Sequence, residues 1–166
     1  MRLTDGVVVL REWRDADVHP AVVATADPEI PRWTPIPRSN TAENVRAFLA
    51  EPLGGRVRLV IADPDTDALL GSVGIVAIDE TGGWGEIGYW VAAEQRRRGL
   101  ATRAVRLLAD WALGERGLRR VVLHIDPENV HSRRVAEKAG FAFEEIIDGA
   151  AVREGLGVVA LYALDR

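Results

Sequence analysis

The sequence predicts an α+β fold, with a single mixed and mostly antiparallel sheet of about seven strands and helices on both faces. Two observations lead to this prediction. Three apolar runs between residues 57 and 92 are separated only by short turns, and such turns join antiparallel neighbours. The remaining chain alternates strand, helix, strand and helix before it ends in two strands. This order is typical of a sheet with helices packed on its faces.

The first third of the chain contains fewer regular elements. Its predicted elements are a strand at 7–10, a helix through 18–24 that Asp15 or Asp17 caps, and a second helix from Thr41 to near Ala50. Between the two helices, residues 27–40 contain four prolines. Proline fixes φ and lacks a backbone donor, so we expect this segment to be irregular.

The rest of the chain has clearer periodicity. The strands are predicted at 57–62, 69–78, 84–92, 121–125, 141–147 and 158–164. A helix is predicted at 101–112, because Ala101, Ala104, Val105 and Leu108 recur on one helical face. A further helix begins after Asn129 and ends at Gly140, a residue typical of helix C-termini.

Length and composition restrict the class of protein. A chain of 166 residues with 48% apolar and 28% charged residues is expected to form one domain, spanning 1–166. No apolar run approaches the roughly 20 residues that cross a bilayer, and we find no signal-peptide core. We therefore expect a cytoplasmic protein that does not bind membranes. The net charge of -4 argues against direct nucleic-acid binding.

The sequence also argues against several kinds of active centre. It contains no cysteine, which excludes disulfides, thiolate metal sites and thiol nucleophiles. Its three histidines are scattered and its carboxylates show no ligand spacing, so we predict no metal site.

A basic turn at residues 94–102 lies between a predicted strand and the helix at 101–112. It contains three consecutive arginines followed by Gly99. The first turn of a helix has N–H groups without partners, and the helix dipole places partial positive charge there. Because Gly99 has no Cβ, an anion can approach the backbone closely. The turn therefore indicates a phosphate or pyrophosphate site, although an exposed basic turn that only begins a helix remains the alternative.

The segment at residues 129–141 also opens a helix. Asn129 is suited to the N-cap, and the hydroxyl of Ser132 lies one turn further, where it would face the mouth of the helix. Taken alone, this segment is typical of an ordinary capped amphipathic helix that ends at Gly140.

Together, the two segments resemble the GNAT superfamily of acyl-CoA-dependent N-acyltransferases. Arg96-x-x-Gly99-x-Ala101 is similar to the superfamily's Q/R-x-x-G-x-G/A loop, and Asn129-x-x-Ser132 through Gly140-Phe141 is similar to the segment beside the pantetheine arm. Other stretches resemble the RimJ/RimL-like branch, which includes ribosomal-protein N-terminal acetyltransferases. They are Val9-Leu10-Arg11-x-Trp13, Trp33-Thr34-Pro35, Glu86-Ile87-Gly88-Tyr89-Trp90-Val91 and Leu161-Tyr162.

The resemblance implies the GNAT fold, with a V-shaped splay between the strands at 84–92 and 121–125 that receives the pantetheine of acetyl-CoA. It places the pyrophosphate on the backbone amides after Arg96. The backbone of Val91 would hydrogen-bond the pantetheine and stabilise the oxyanion. The residues that it assigns to CoA binding are Val91, Arg96, Arg97, Arg98, Gly99, Leu100, Ala101, Thr102, Asn129 and Ser132.

The implied activity is transfer of an acetyl group from acetyl-CoA to a primary amine, by direct attack in a ternary complex. Glu86 is the candidate base for the amine proton, and a structural ion pair with an arginine is the alternative. Ser132 is the candidate acid for the departing thiolate, with a capping or CoA-binding hydroxyl as the alternative. Tyr162 is a competing acid, although an aromatic residue on such a strand is also typical of packing.

The acceptor is less well determined. The resemblance implies that Trp33, Tyr89 and Trp90 line its pocket, and local packing is the alternative for each residue. A protein N-terminal α-amine is one candidate acceptor. Others are a polyamine, an amino acid or an aminoglycoside, with succinyl-CoA as a second possible donor. A non-catalytic acyl-CoA sensor remains a further alternative, and a homodimer is compatible with the resemblance.

Overall fold

The computed structural model describes residues 1–153 and 155–166, which build one open sheet in the order β1-β2-β3-β4-β5-β6-β8-β7. Its strands are β1 Arg2–Thr4, β2 Val9–Arg11, β3 Val57–Ala62, β4 Leu69–Asp79, β5 Trp84–Val91, β6 Arg120–Ile125, β7 Ala142–Asp148 and β8 Val158–Asp165. All neighbours are antiparallel except β5 and β6, which are parallel. The predicted mixed, mostly antiparallel sheet is confirmed.

Helices lie on both faces of this sheet. They are α1 Val18–Thr25, α2 Glu29–Trp33, α3 Ala42–Ala50, α4 Leu100–Leu113 and α5 Val130–Lys138. The long helix α4 packs on β2, β4, β5 and β6, and α5 lies beside it over β6 and β7. We call this side of the sheet the α4 face. On the opposite side, the α1 face, α1 and α3 pack on each other and α1 contacts β4.

The main core lies between α4 and the sheet. The helix buries Leu100, Val105 and Leu108 in a cluster that also contains Val73 and Ile87 from the central strands. Burying each such side chain stabilises the fold by about 1.5–3 kcal/mol. Because side chains alternate along a strand, this core fixes which residues of β5 face α4 and which face α1.

Two elements differ from the sequence prediction. The strand β1 was not predicted, because Arg2-Leu3-Thr4 is short and largely polar, and it brings the strand count to eight over the described residues. The helix α2 lies within residues 27–40, which were expected to be irregular. Its prolines are compatible with a helix because Pro28 is the N-cap and Pro31 lies in the first turn, where backbone N–H groups have no helical partner.

The predicted cap of α1 is also wrong. Asp17 precedes this helix, but its side chain makes no capping hydrogen bond. Its carboxylate accepts hydrogen bonds from Arg11 Nη1 at 2.8 Å, from Arg11 Nη2 at 2.9 Å and from the backbone N–H of Arg14 at 2.8 Å. Asp15 is paired with Arg46 at the surface. The acidic residues therefore anchor the turn before α1 rather than cap the helix.

Replacing Asp17 with alanine is expected to lower the free energy of unfolding by about 3 kcal/mol. It removes the buried carboxylate that pairs with the Arg11 guanidinium, which would keep the half-exposed Asp67 carboxylate and two backbone carbonyls as partners. Urea unfolding measures this loss. Asp15→Ala is the matched control, since its ion pair with Arg46 is exposed on both sides and should contribute little. Equal losses in the two variants would contradict the assignment.

Candidate active site

The strands β5 and β6 separate in the middle of the sheet. They pair at only three positions, Trp84↔Arg120, Gly85↔Val121 and Glu86↔Val122. Beyond Glu86, β5 continues to pair with β4 as far as Val91, and β6 continues to pair with β8 as far as Ile125. A gap therefore opens between two strands that each remain anchored on their other side, and the predicted V-shaped splay is confirmed.

The basic turn lies directly after β5 and opens α4. Arg97 has a φ of +61° and Gly99, the N-cap of α4, has a φ of +75°. Left-handed residues interspersed in such a turn direct successive backbone N–H groups to one side, which makes an anion-binding concavity. Gly99 supplies no side-chain cap, so the first N–H groups of α4 retain their capacity for an anion.

Two of the three arginine side chains of this turn, those of Arg96 and Arg98, are directed to protein groups. Arg96 forms an ion pair with Asp27, at the start of the α1–α2 connection, and its Nε donates to the Val91 carbonyl at 3.3 Å. Arg98 donates to Gln95. Among the predicted CoA-binding residues, the backbone of Arg97 through Thr102 therefore has the anion-site geometry, while the Arg96 side chain ties β5 to the α1–α2 connection.

Asn129 and Ser132 lie together at the start of α5. The Asn129 Oδ1 accepts a hydrogen bond from the Ser132 backbone N–H at 3.1 Å, so Asn129 is the N-cap. The Ser132 Oγ lies 2.6 Å from the hydroxyl of Tyr89 on β5. The Tyr89–Ser132 contact thus connects β5 with α5, across the gap between β5 and β6.

Strand alternation separates Tyr89 from Trp90. Tyr89 packs against the α4-face core, and burial raises the pKa of its phenol to about 12. Trp90 packs on the opposite face against Val18, Ala21 and Val45. The two residues, which were expected to line one acceptor pocket, therefore lie on opposite sides of the sheet.

The other predicted aromatic site residues make local contacts. Trp33 donates from Nε1 to Glu29 at 3.1 Å, and the guanidinium of Arg32 lies 4.5 Å from its ring centroid. Tyr162 is fully buried, and its hydroxyl lies 3.1 Å from Arg133 Nε and 3.4 Å from Glu137. Because both partners belong to α5, these contacts place Tyr162 in the packing of that helix on the sheet.

Glu86 lies at the last paired position before the gap and faces the α1 side. Its side chain is only 10% exposed, and its Oε1 lies 3.3 Å from the Nδ1 of His124, whose side chain is 7% exposed. Within the part of the chain that the structure describes, Glu86 forms no ion pair with an arginine, and the Nδ1 of His124 has no aligned hydrogen bond. The arginine partner left open by the sequence is therefore not observed.

His124 is not among the site residues that the sequence predicts. The parallel register pairs Glu86 with Val122, so His124, two residues further along β6, reaches the same face. Only the register between two strands far apart in sequence brings the carboxylate and the imidazole together.

The described residues contain no group of three side chains that would hold a metal ion, and none of their helices is long and apolar enough to cross a membrane.

Sequence comparison finds acetyltransferases. The acetyltransferase (GNAT) domain matches residues 8–142. The uncharacterized N-acetyltransferase p20 of Bacillus licheniformis is 26% identical over 148 residues, which is 89% of this chain and 79% of p20. The putative ribosomal N-acetyltransferase YdaF of Bacillus subtilis is 33% identical over 95 residues, which is 57% of this chain and 49% of YdaF.

Solved structures share the fold over nearly the whole chain. Mycobacterium smegmatis RimJ in complex with CoA-disulfide superposes with a TM-score of 0.81 at 23% identity, over 99% of this chain and 84% of that chain. Spermidine N-acetyltransferase from Vibrio cholerae in complex with CoA and spermine superposes with a TM-score of 0.82 at 17% identity, over 97% and 96%. These likenesses show that the fold is shared.

Proposed function

Because this chain belongs to the GNAT family of acetyltransferases and uses acetyl-CoA as its donor, we propose that it acetylates the N-terminal α-amine of a protein. The whole chain, 1–166, would act as one catalytic domain. The amine would attack the thioester directly, without an acyl-enzyme, which is consistent with the absence of cysteine from the sequence. The site residues have the following roles in this proposal.

The backbone from Arg97 to Thr102 would hold the CoA pyrophosphate. Arg97 and Gly99 have the left-handed conformations that gather N–H groups into a concavity. Asn129 Oδ1 is occupied by the helix cap, which leaves its amide N–H groups for the pantetheine. Val91 would contribute its backbone at the edge of the gap. These groups fix the thioester between β5 and β6 and supply positioning rather than proton transfer.

Glu86 would accept the proton of the amine, and its burial carries this part of the proposal. The Glu86 side chain is 10% exposed, and among the described residues it pairs with the His124 imidazole and not with a permanently charged lysine or arginine, which is the partner that buried carboxylates normally have. An incoming ammonium would supply that partner, and transfer of one ammonium proton to the carboxylate would produce the neutral amine nucleophile. This environment also favours an enzyme over a non-catalytic CoA sensor, which has no need for a buried carboxylate beside the thioester.

The charged residues between positions 27 and 40 favour an acceptor that brings a single amine to the active site. Asp27 and Glu29 are the carboxylates of residues 27–40, and both already have partners. Asp27 pairs with Arg96, and Glu29 pairs with Arg32 and accepts from Trp33. A polyamine would need further free carboxylates for its remaining ammonium groups. An N-terminal α-amine needs only Glu86, and YdaF, a relative of this chain, is a putative ribosomal N-acetyltransferase.

A small amine is the second candidate, because the fold is shared with a spermidine acetyltransferase. An acceptor screen distinguishes the two classes. Purified protein is incubated with acetyl-CoA or succinyl-CoA and with peptides of varied first residue, spermidine, amino acids or an aminoglycoside, and the products are identified by mass spectrometry. We expect acetylation of peptide α-amines with acetyl-CoA. Modification of spermidine alone would support the second candidate, and CoA binding without any turnover would support a sensor.

A further inference from the structure

The two tyrosines of the chain both place their hydroxyls against α5, but in different surroundings. Tyr162 is fully buried, and its hydroxyl is shared between Arg133 and Glu137. Tyr89 comes from β5, three residues beyond the last β5–β6 pair, and among the described residues Ser132 is the one hydrogen-bond partner of its hydroxyl. The Tyr89–Ser132 contact therefore spans the gap in which the thioester would lie.

The Ser132 side chain is held at a defined position by this contact. Its backbone N–H is fixed by the Asn129 cap at 3.1 Å, and its Oγ lies 2.6 Å from the Tyr89 oxygen. A serine hydroxyl has one hydrogen and two lone pairs. If Tyr89 donates its hydrogen to Ser132, the hydrogen of Ser132 is free to point elsewhere. If Ser132 donates to Tyr89, its hydrogen is already used.

We propose that Tyr89 is a positioning residue that donates to Ser132 and thereby directs the Ser132 hydroxyl hydrogen toward the sulfur of acetyl-CoA. This inference rests on the proposed acetyl transfer and assigns a role that the sequence did not, since Tyr89 was expected in the acceptor pocket. The charged residue next to Ser132 does not compete for this position, because Arg133 is directed to Tyr162 and to the carbonyl of Pro127.

The chemical balance of the step requires no proton from Tyr89. The amine nitrogen forms a bond to the thioester carbon, the C–S bond breaks, and the sulfur departs with the electron pair as a thiolate. Glu86 has already taken the first proton, from the ammonium. As the C–S bond breaks, the nitrogen loses its second proton to water and Ser132 stabilises the thiolate by a hydrogen bond. The released thiolate then takes up a proton from solvent, and Glu86 returns its own proton to solvent. Burial raises the pKa of Tyr89 to about 12, whereas an unperturbed thiol has a pKa near 8.5. The phenol therefore keeps its proton and remains a donor.

The test uses CoA itself and needs no acceptor. The thiol of bound CoA is titrated by its ultraviolet thiolate absorbance in the wild-type protein, Tyr89→Phe, Ser132→Ala and the double variant. Loss of one hydrogen bond to the thiolate should raise the apparent pKa of the bound thiol by about 1 to 2. If Tyr89 acts through Ser132, the double variant should match Ser132→Ala, because the two effects are not additive.

Tyr162→Phe is the matched control, since it removes the other tyrosine hydroxyl from α5. It should lower the unfolding midpoint and leave the titration of the bound thiol unchanged. An unchanged titration in Tyr89→Phe, or additive shifts in the double variant, would overturn the inference. Failure to acetylate any amine, with the titration shifts present, would instead overturn the proposed function. With an active acceptor, Tyr89→Phe should lower kcat several-fold and leave the KM for acetyl-CoA nearly unchanged.

Discussion

Replacing Glu86 with glutamine is expected to lower kcat by roughly 100-fold near neutral pH, the lower end of the contribution of a positioned general base. The amide has nearly the same size as the carboxylate but cannot accept the amine proton. The difference in kcat between the wild-type protein and the variant should become smaller above about pH 8. A peptide α-amine with a pKa of about 7.7–8.0 is then largely neutral without a general base. Steady-state rates at saturating acetyl-CoA and peptide, measured across pH, give both results.

The comparison requires that the variant still folds and binds CoA. Glu86 is buried, so the unfolding midpoint and the affinity for CoA are measured alongside the rates. Glu115→Gln, which makes the same change at an exposed position after α4, should retain wild-type kinetics. The base assignment fails if Glu86→Gln keeps the wild-type kcat across pH, or if its loss of rate is the same at every pH.

Local sequence determined much of this fold. The strand at 57–62 was predicted with the observed bounds of β3, because a short apolar run between two turns favours a strand. The cap of α3 was also predictable, since Thr41 accepts from the Asn44 N–H in a pattern that depends on a spacing of three residues. The Arg96–Ala101 turn similarly combined a basic run, a glycine and a helix start within a few residues.

The parts that escaped prediction depend on pairing between distant segments. The register of β5 against β4 and the core under α4 determine that Tyr89 lies on the α4 face and Trp90 on the α1 face. A shift of one residue would exchange the two faces. The Glu86–His124 contact depends in the same way on the parallel register with β6. The Arg96–Asp27 ion pair joins positions that are 69 residues apart, and no local pattern in the sequence predicts it.

The second large effect is expected at Gly99. Its φ of +75° is a conformation that a β-branched residue adopts only with strain, although a Cβ at this position would meet no atom within 4 Å. In Gly99→Val the turn must either keep this conformation, at a cost of about 1–2 kcal/mol, or move its N–H groups away from the pyrophosphate. We expect the dissociation constant for CoA, measured by calorimetry, to rise about tenfold.

Gly117 provides a matched comparison for this substitution. It has a φ of +78°, its added Cβ would also meet nothing within 4 Å, and it lies beyond the opposite end of α4. Gly117→Val should therefore lose a similar amount of stability by urea unfolding and bind CoA like the wild-type protein. Weaker CoA binding in both variants would mean that the effect arises from general destabilisation. Unchanged CoA binding in Gly99→Val would mean that the pyrophosphate does not lie on this turn.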